Sequence, residues 1–452
     1  MPLHVPSSLD ELLFLFRPCF TAKTHETFRA LCVGFLSCVG THTVTGCLVA
    51  SQMSWRWHHS RAHRFFSRAR WSADELGLRL AELIVERLVP DGATIEVAVD
   101  DTLLKRSGAK VFGRHLHHDA SNPAPGTNLA HGNCWVAAGI VVRLGFMDRP
   151  ICLPVLFRLW RPRRPEYAKA RKPDPERPGK VELARELAGL IAKRFPQRRI
   201  ALCGDSAYAA KGIRELAGQA TLTSRIRSNA ALYQPKPERS GKAGRPREKG
   251  ERLPSLAQIA DDPERAGDWQ QLEVTRYGRR ETVSALVVRC LWYSVLAGKP
   301  VDLVLVRDQD TTAGYDLALI TTDLAAGAAA IIERYATRWS IEVAFEDSKQ
   351  LAGVGEAQNR VRLAVERTAP FGFICLSLAV VWYALSGHSP ADVAEHRARA
   401  RWYTTKRNPS VADMLVKLRR TIIAAQYLPT RPHAPTSREI QAVAQAWAAA
   451  GA

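Results

Sequence analysis

The chain has 452 residues, with 64 Lys+Arg against 44 Asp+Glu and a formal net charge of +20. At 46% hydrophobic and 24% charged residues it has the composition of a globular protein, which excludes a disordered chain, a collagen-like repeat and a disulfide scaffold. Its length predicts roughly two to four domains, and so basic a balance points to a polyanion, nucleic acid before a membrane surface.

The charge is concentrated. Residues 158–180 hold 9 basic and 3 acidic side chains, residues 225–252 again 9 and 3, and residues 397–420 hold 8 and 1. At net +6, +6 and +7 these stretches carry nearly all of the excess. A single run is often just a solvated face, but three together favour a phosphate-binding surface.

The nine cysteines form no CxxC pair and lie mostly in apolar surroundings. They read as reduced, buried thiols rather than a disulfide framework or a zinc site. The opening MPLHVPSSLDELLFLF lacks a basic n-region, so a signal peptide is not expected. The expected location is the cytoplasm, with no membrane partner.

In chain order, residues 1–90 read as helical. Short helices are predicted at 41–51 and 58–68, the second basic and aromatic. Ser72, followed by Asp74 and Glu75, predicts an N-cap opening an amphipathic helix to about Leu88. This pair of short helices suits either a helix-turn-helix reader or a plain bundle. From Ala93 the pattern turns to period two, and TIEVAVDD reads as a strand ending in the carboxylates Asp100 and Asp101. Further strands are predicted at 134–143, 151–159 and 199–203, with a helix at 181–194 between the last two. This alternation argues for a mixed α/β core. The Pro-, Gly- and charge-rich segment 233–256 reads as a loop. Short strands are expected at 271–277, 282–288 and 291–296, then core strands at 301–307 and 315–321. One long helix is expected from about 328 to 350. The apolar run 371–385 spans about 15 residues, short of the roughly 20 a bilayer requires, and reads as a buried core helix. Residues 388–452 read as basic and helical.

Carboxylates fall at the ends of two predicted strands, Asp101 and Asp205, and in the long helix, Glu342. Such a set can converge on hard divalent cations, which take a few carboxylates plus water and phosphate oxygens. Two ions about 3.5–4 Å apart activate a water or a 3′-hydroxyl and stabilise the leaving oxygen. Asp100 competes with Asp101, because alternation puts the two on opposite faces of the strand.

The spacing Tyr335-x2-Arg338-x3-Glu342-x6-Lys349 resembles the YREK signature of a large group of bacterial insertion-sequence transposases. Asp101-Thr102 and Asp205-Ser-x-Tyr208 resemble that group's first and second catalytic aspartates, in the right order, and favour Asp101 over Asp100. The resemblance spans about residues 90–390. It implies a ribonuclease H-like core with a β-rich insertion, flanked by helical N- and C-terminal regions. Expected boundaries are 1–92 (helical, DNA-binding), 93–224 (core, first part), 225–300 (basic loop and β-rich insertion), 301–387 (core, second part) and 388–452 (basic, helical). Asp101, Asp205 and Glu342 are expected to be catalytic and to hold two Mg2+ ions, with Mn2+ as a substitute. Helical spacing places Tyr335, Arg338, Glu342 and Lys349 on one face, the first two and Lys349 reaching DNA phosphates or sugar. Expected partners are double-stranded DNA, both terminal inverted repeats and target, and a second copy of the chain in the DNA-bound synaptic complex. The enzyme is expected to be bacterial and nucleoid-associated when bound. A nuclease or resolvase on the same core, and an inactive DNA-binding relic, are the alternatives.

Gly244-Arg245-Pro246-Arg247 resembles the core of a minor-groove AT-hook. A loop gripping the backbone through Arg245 and Arg247 is the preferred reading. His115, His117, His118, Asp119 and His131 form a polar cluster, read as a loop near the active site rather than a zinc site. Trp269 and Trp292 are candidates for base stacking, with no motif to place them.

Overall fold

The computed structural model describes residues 3–119, 128–169, 172–216, 218–237, 247–400, 402, 404–427 and 437–451. Five helices come first: α1 (Ser7–Phe14), α2 (Ala22–Ser37), α3 (Val44–Ala50), α4 (Ser60–Ser67) and α5 (Ala73–Leu88). The predicted cap at Ser72 is present. Its hydroxyl accepts the Glu75 N–H at 3.3 Å, and Asp74 and Glu75 occupy the first turn, where the helix dipole favours negative charge. Leu76, Leu80, Leu83 and Ile84 recur at helical spacing on the buried face of α5.

The centre is a ten-stranded mixed sheet. Its first strands are β1 (Ile95–Lys105), β2 (His115–His118), β3 (Leu129–Val142) and β4 (Ile151–Trp160). After α6 (Pro165–Lys169) and α7 (Lys180–Arg194) come β5 (Ile200–Gly204) and β6 (Ala220–Arg225). Then follow α8 (Leu256–Ala260), β7 (Gln270–Arg276), β8 (Arg279–Leu291), α9 (Tyr293–Leu296), β9 (Pro300–Arg307) and β10 (Leu317–Thr321). The strand order is β2-β3-β1-β5-β6-β10-β9-β8-β7, with β4 beside β3. β3 pairs antiparallel with β1 along one edge, and with β2 and β4 end to end along the other. β1–β5 and β5–β6 are parallel. β3 is buried on both faces from Gly132 to Val142, because helices cover the sheet on both sides. The mixed α/β architecture with helical flanks is the one expected. The strands β7 and β8 of the expected insertion continue this same sheet through β9.

The remaining helices are α10 (Ala328–Thr337), α11 (Ser340–Gln350), α12 (Arg362–Trp382), α13 (Asp392–Arg399), α14 (Val411–Tyr427) and α15 (Ser437–Ala449). α12 is the core helix predicted from the run 371–385, but it starts earlier, at Arg362. Arg362–Gly387 is long and apolar enough to cross a membrane, yet most of it is buried inside the protein. Phe373 stacks on Phe157 of β4 at 5.0 Å between ring centres, and Phe371 packs edge-on against Phe28, Phe65 and Phe66. At about 1.5–3 kcal/mol per buried aromatic, these contacts fasten the N-terminal helices to the sheet.

Four expectations are corrected. Asp101 does not close its strand. β1 runs on to Lys105, because β3 continues to pair with it as far as Gly132. The long helix 328–350 is two helices broken at Arg338–Trp339. The hydroxyls of Thr337 and Ser340 donate to the carbonyls three residues back, at 2.8 and 2.6 Å, and compete with the helical ladder. Residues 282–288 and 291–296 are not two strands. β8 covers the first and ends at Leu291, while Tyr293–Leu296 forms α9. His115–His118 is a strand rather than a loop, paired with Leu129–Gly132.

Candidate active site

β1 carries adjacent aspartates whose side chains point to opposite faces of the sheet, as pleating requires. On one face, the Asp100 carboxylate lies 3.1 Å from Arg338 Nη1. The Arg338 guanidinium also lies 2.8 Å from Glu342 Oε1, four residues along the chain. Arg338 is therefore a bridge between the β1 acid and the helical acid. Its side chain is 10% exposed and that of Asp100 18%, whereas Glu342 is a third exposed, so the bridge is anchored at its buried end.

Asp205 follows directly on β5. The parallel register pairs Ala98 with Cys203, so extending it by two residues brings Asp205 level with Asp100. Asp205 Oδ1 accepts the Ala207 N–H at 2.8 Å, and its carbonyl accepts the Ser224 hydroxyl at 2.8 Å; both bonds fix the turn after the strand. Burial pushes the Asp100 carboxyl up to about 7. The Asp101 N–H and Arg338 oppose that rise, and the charges of Asp101 and Asp205 add to it.

On the other face, Asp101 is held by three groups. The Lys180 ammonium, at the first residue of α7, lies 2.6 Å from Oδ2, and the Cys134 thiol donates to the same oxygen at 3.4 Å. The buried Tyr208 hydroxyl donates to Oδ1 at 3.2 Å. Burial, then Asp101 and the neighbouring Asp100, raise the Tyr208 phenol well above its ordinary value, so it stays a donor. Burial opposes the charge on Lys180, but Asp101 outweighs it and holds the ammonium above its usual range. Lys180 also sits 5.4 Å from the centre of the Trp160 ring, against which His117 packs at 5.6 Å.

The structure thus gathers Asp100, Arg338 and Glu342 on one face with Asp205 beside Asp100, and directs Asp101 toward Lys180. Tyr335 lies in the last turn of α10, 5.8 Å from the Arg338 guanidinium, and Lys349 is exposed near the end of α11. Arg247 is exposed, while Arg245 lies outside the described residues. Trp292 is buried, and Trp269 lies under the Arg307 guanidinium at 4.1 Å. Lys180 and Cys134 carried no sequence signal toward this site; Lys180 is 79 residues from its partner.

Among the described residues, no three His, Cys, Asp or Glu side chains stand close enough to hold an ion as they are placed. The donor chemistry nonetheless fits a hard divalent cation. Asp100 in β1 and Asp205 just after β5 stand side by side, and burial with the charges of Asp101 and Asp205 raises the Asp100 carboxyl against the opposing Asp101 N–H and Arg338. Arg338 and Lys180 occupy the oxygens that a cation would take.

Residues 15–287 match the DDE superfamily endonuclease family. That stretch contains Asp100, Asp101, Lys180, Asp205 and Tyr208, and it ends before Arg338 and Glu342. Among curated proteins, none matches the chain. With more than half of its residues inside the family match, the chain belongs to the DDE superfamily endonucleases, metal-dependent enzymes that act on DNA.

Proposed function

We propose that the protein is the transposase of an insertion sequence. It binds the terminal inverted repeats of its element, cuts to release a 3′-hydroxyl, and joins that hydroxyl to target DNA. In the first step a water oxygen attacks the scissile phosphorus and the bond to the 3′ oxygen breaks, leaving a 3′-hydroxyl and a 5′-phosphate. In the second, that hydroxyl attacks a target phosphodiester and displaces a target 3′ oxygen. The observation that carries the reading is the seating of Arg338, a member of the YREK spacing, between Asp100 of β1 and Glu342 of α11, with Asp205 level with Asp100.

Asp205 and Glu342, together with one of the two β1 aspartates, would hold two Mg2+ ions, with Mn2+ as a substitute, and bound metal would activate the attacking oxygen and stabilise the leaving one. Arg338, once released from the carboxylates, has the fork geometry to grip a phosphate beside the scissile bond. Lys349 and Tyr335 extend that grip along the strand, and the segment holding Arg245 and Arg247 adds backbone contacts. Two element ends brought together require at least a dimer on DNA, and a bacterial cytoplasm is the setting.

A second reading of the β1 ligand has its own support: Asp100, not Asp101, shares Arg338 with Glu342. Separate Asp100→Asn and Asp101→Asn variants decide between them, because only removal of the true ligand abolishes metal-dependent cleavage. A joining assay with a pre-cleaved end separates transposase from simple nuclease. Strand-transfer product sustains the proposal, and cleavage without any joining reduces it to nuclease.

A further inference from the structure

Beyond the carboxylates lies a cationic cluster that the reaction does not use. Phe112 is fixed from both sides of its backbone. Its N–H donates to the Arg360 carbonyl at 2.9 Å, and its carbonyl accepts from the buried Asn133 amide at 3.0 Å. Two guanidiniums converge on its ring, Arg161 at 5.4 Å and Arg362 at 5.6 Å from the centre. Arg177 stands beside them. Arg161 donates to the Glu176 carbonyl at 3.3 Å, and Arg177 donates to the Pro162 carbonyl at 3.1 Å. These reciprocal bonds clip the end of β4 to the turn before α7 and orient both side chains.

The local charge balance decides what the cluster is for. Arg362 is paired with Glu366 at 3.0 Å, and the Glu176 carboxylate faces Arg164 at 3.4 Å. Among the described residues, Arg161 and Arg177 have backbone carbonyls as hydrogen-bond partners and no carboxylate in an ion pair. Burial lowers the Arg161 guanidinium, and Arg177 and Arg362 lower it further, against a smaller opposing pull from Glu366 and Glu176; burial, Arg177 and Arg161 lower the His115 ring. Three guanidiniums set against the weaker fields of Glu366 and Glu176 leave a positive patch that favours an anion.

We propose that Arg161 and Arg177, presented on Phe112 with Arg362 and His115, form a subsite for a phosphodiester of the DNA backbone. This rests on the reading that the protein acts on DNA. The subsite is continuous with the candidate active site. The His115 ring lies 6.5 Å from His117, which packs on Trp160 beside Lys180 and so reaches Asp101. A duplex gripped here is held next to the acids, outside the YREK helix.

The test is binding of a fluorescein-labelled duplex of mixed sequence by the full chain, without divalent metal, across a series of KCl concentrations. Arg161→Gln with Arg177→Gln is expected to weaken binding about tenfold and to flatten the log Kd against log[KCl] slope by about one for each phosphate no longer neutralised. Arg161→Lys with Arg177→Lys keeps the charge and is expected to keep most of the slope, which separates loss of charge from loss of fold. Arg185→Gln, which removes the partner of Glu215 on α7, is expected to leave the slope unchanged. Wild-type binding with an equal slope in the Gln pair overturns the subsite and leaves the DNA reading standing. A wild-type chain that binds no duplex overturns both.

Discussion

The Lys180 ammonium lies 2.6 Å from Asp101 Oδ2, joining the first turn of α7 to the middle of β1. The contact makes Lys180 a competitor for the oxygen that a divalent cation would take, much as Arg338 competes on the other face. In both places a protein cation holds an acid that metal would otherwise neutralise. Removing either one should therefore change how tightly the site takes metal.

Lys180→Met is expected to lower the Mg2+ concentration needed for half-saturation several-fold, because the competing charge on Asp101 is gone. Trp160 lies next to Lys180 and supplies a fluorescence readout. A midpoint that rises would mean that Lys180 orients Asp101 for metal rather than opposing it.

Arg106 ties the end of β1 to the chain after α11. It donates to the carbonyls of Gly355, Ala357 and Asn359 and to the Asn359 side chain at 2.5–2.9 Å. Arg106→Ala strands those acceptors and is expected to cost about 2–4 kcal/mol of stability in urea denaturation. Arg106→Lys is expected to recover only a minor part, since a point charge cannot span the fork. Full recovery by Lys would contradict the geometric account.

Asp347 sits in α11 with its carboxyl pushed up to about 6 by burial and by Glu346. A raised folded pKa favours the protonated form. Asp347 therefore costs stability at neutral pH, and the cost fades as pH falls from about 6 toward the unfolded value of 3.8. Asp347→Asn is expected to be more stable than wild type at pH 7, by roughly 1 kcal/mol after allowing for partial exposure. The gap should close near pH 4. A gap that is constant with pH would show that the gain has nothing to do with this carboxyl.

Much of this arrangement was legible in the residues. The Ser72 cap, the period-two run into Asp100 and Asp101, and β5 ending just before Asp205 all rest on local signals that tertiary packing reinforces. The break between α10 and α11 was not legible. No Gly or Pro marks it, and Arg338 and Trp339 keep helical dihedrals, so no local signal separates the two helices. The apolar run 291–296 has no periodicity to separate a strand from a buried helical turn, and α9 formed where a strand was expected. Alternation separated Asp100 from Asp101 correctly, but only tertiary placement gives Lys180 to one and Arg338 to the other. Those contacts join residues 79 and 238 positions apart.

On the proposed reading, carboxylates from β1, β5 and α11 cut DNA with divalent metal. The most direct test is Mg2+-dependent cleavage of an end-bearing duplex by wild type, Asp205→Asn and Glu342→Gln, each checked for an unchanged melting temperature. Cleavage by wild type is expected to stop on chelation and to fall at least about a hundredfold in both variants. Undiminished cleavage by both would contradict this reading.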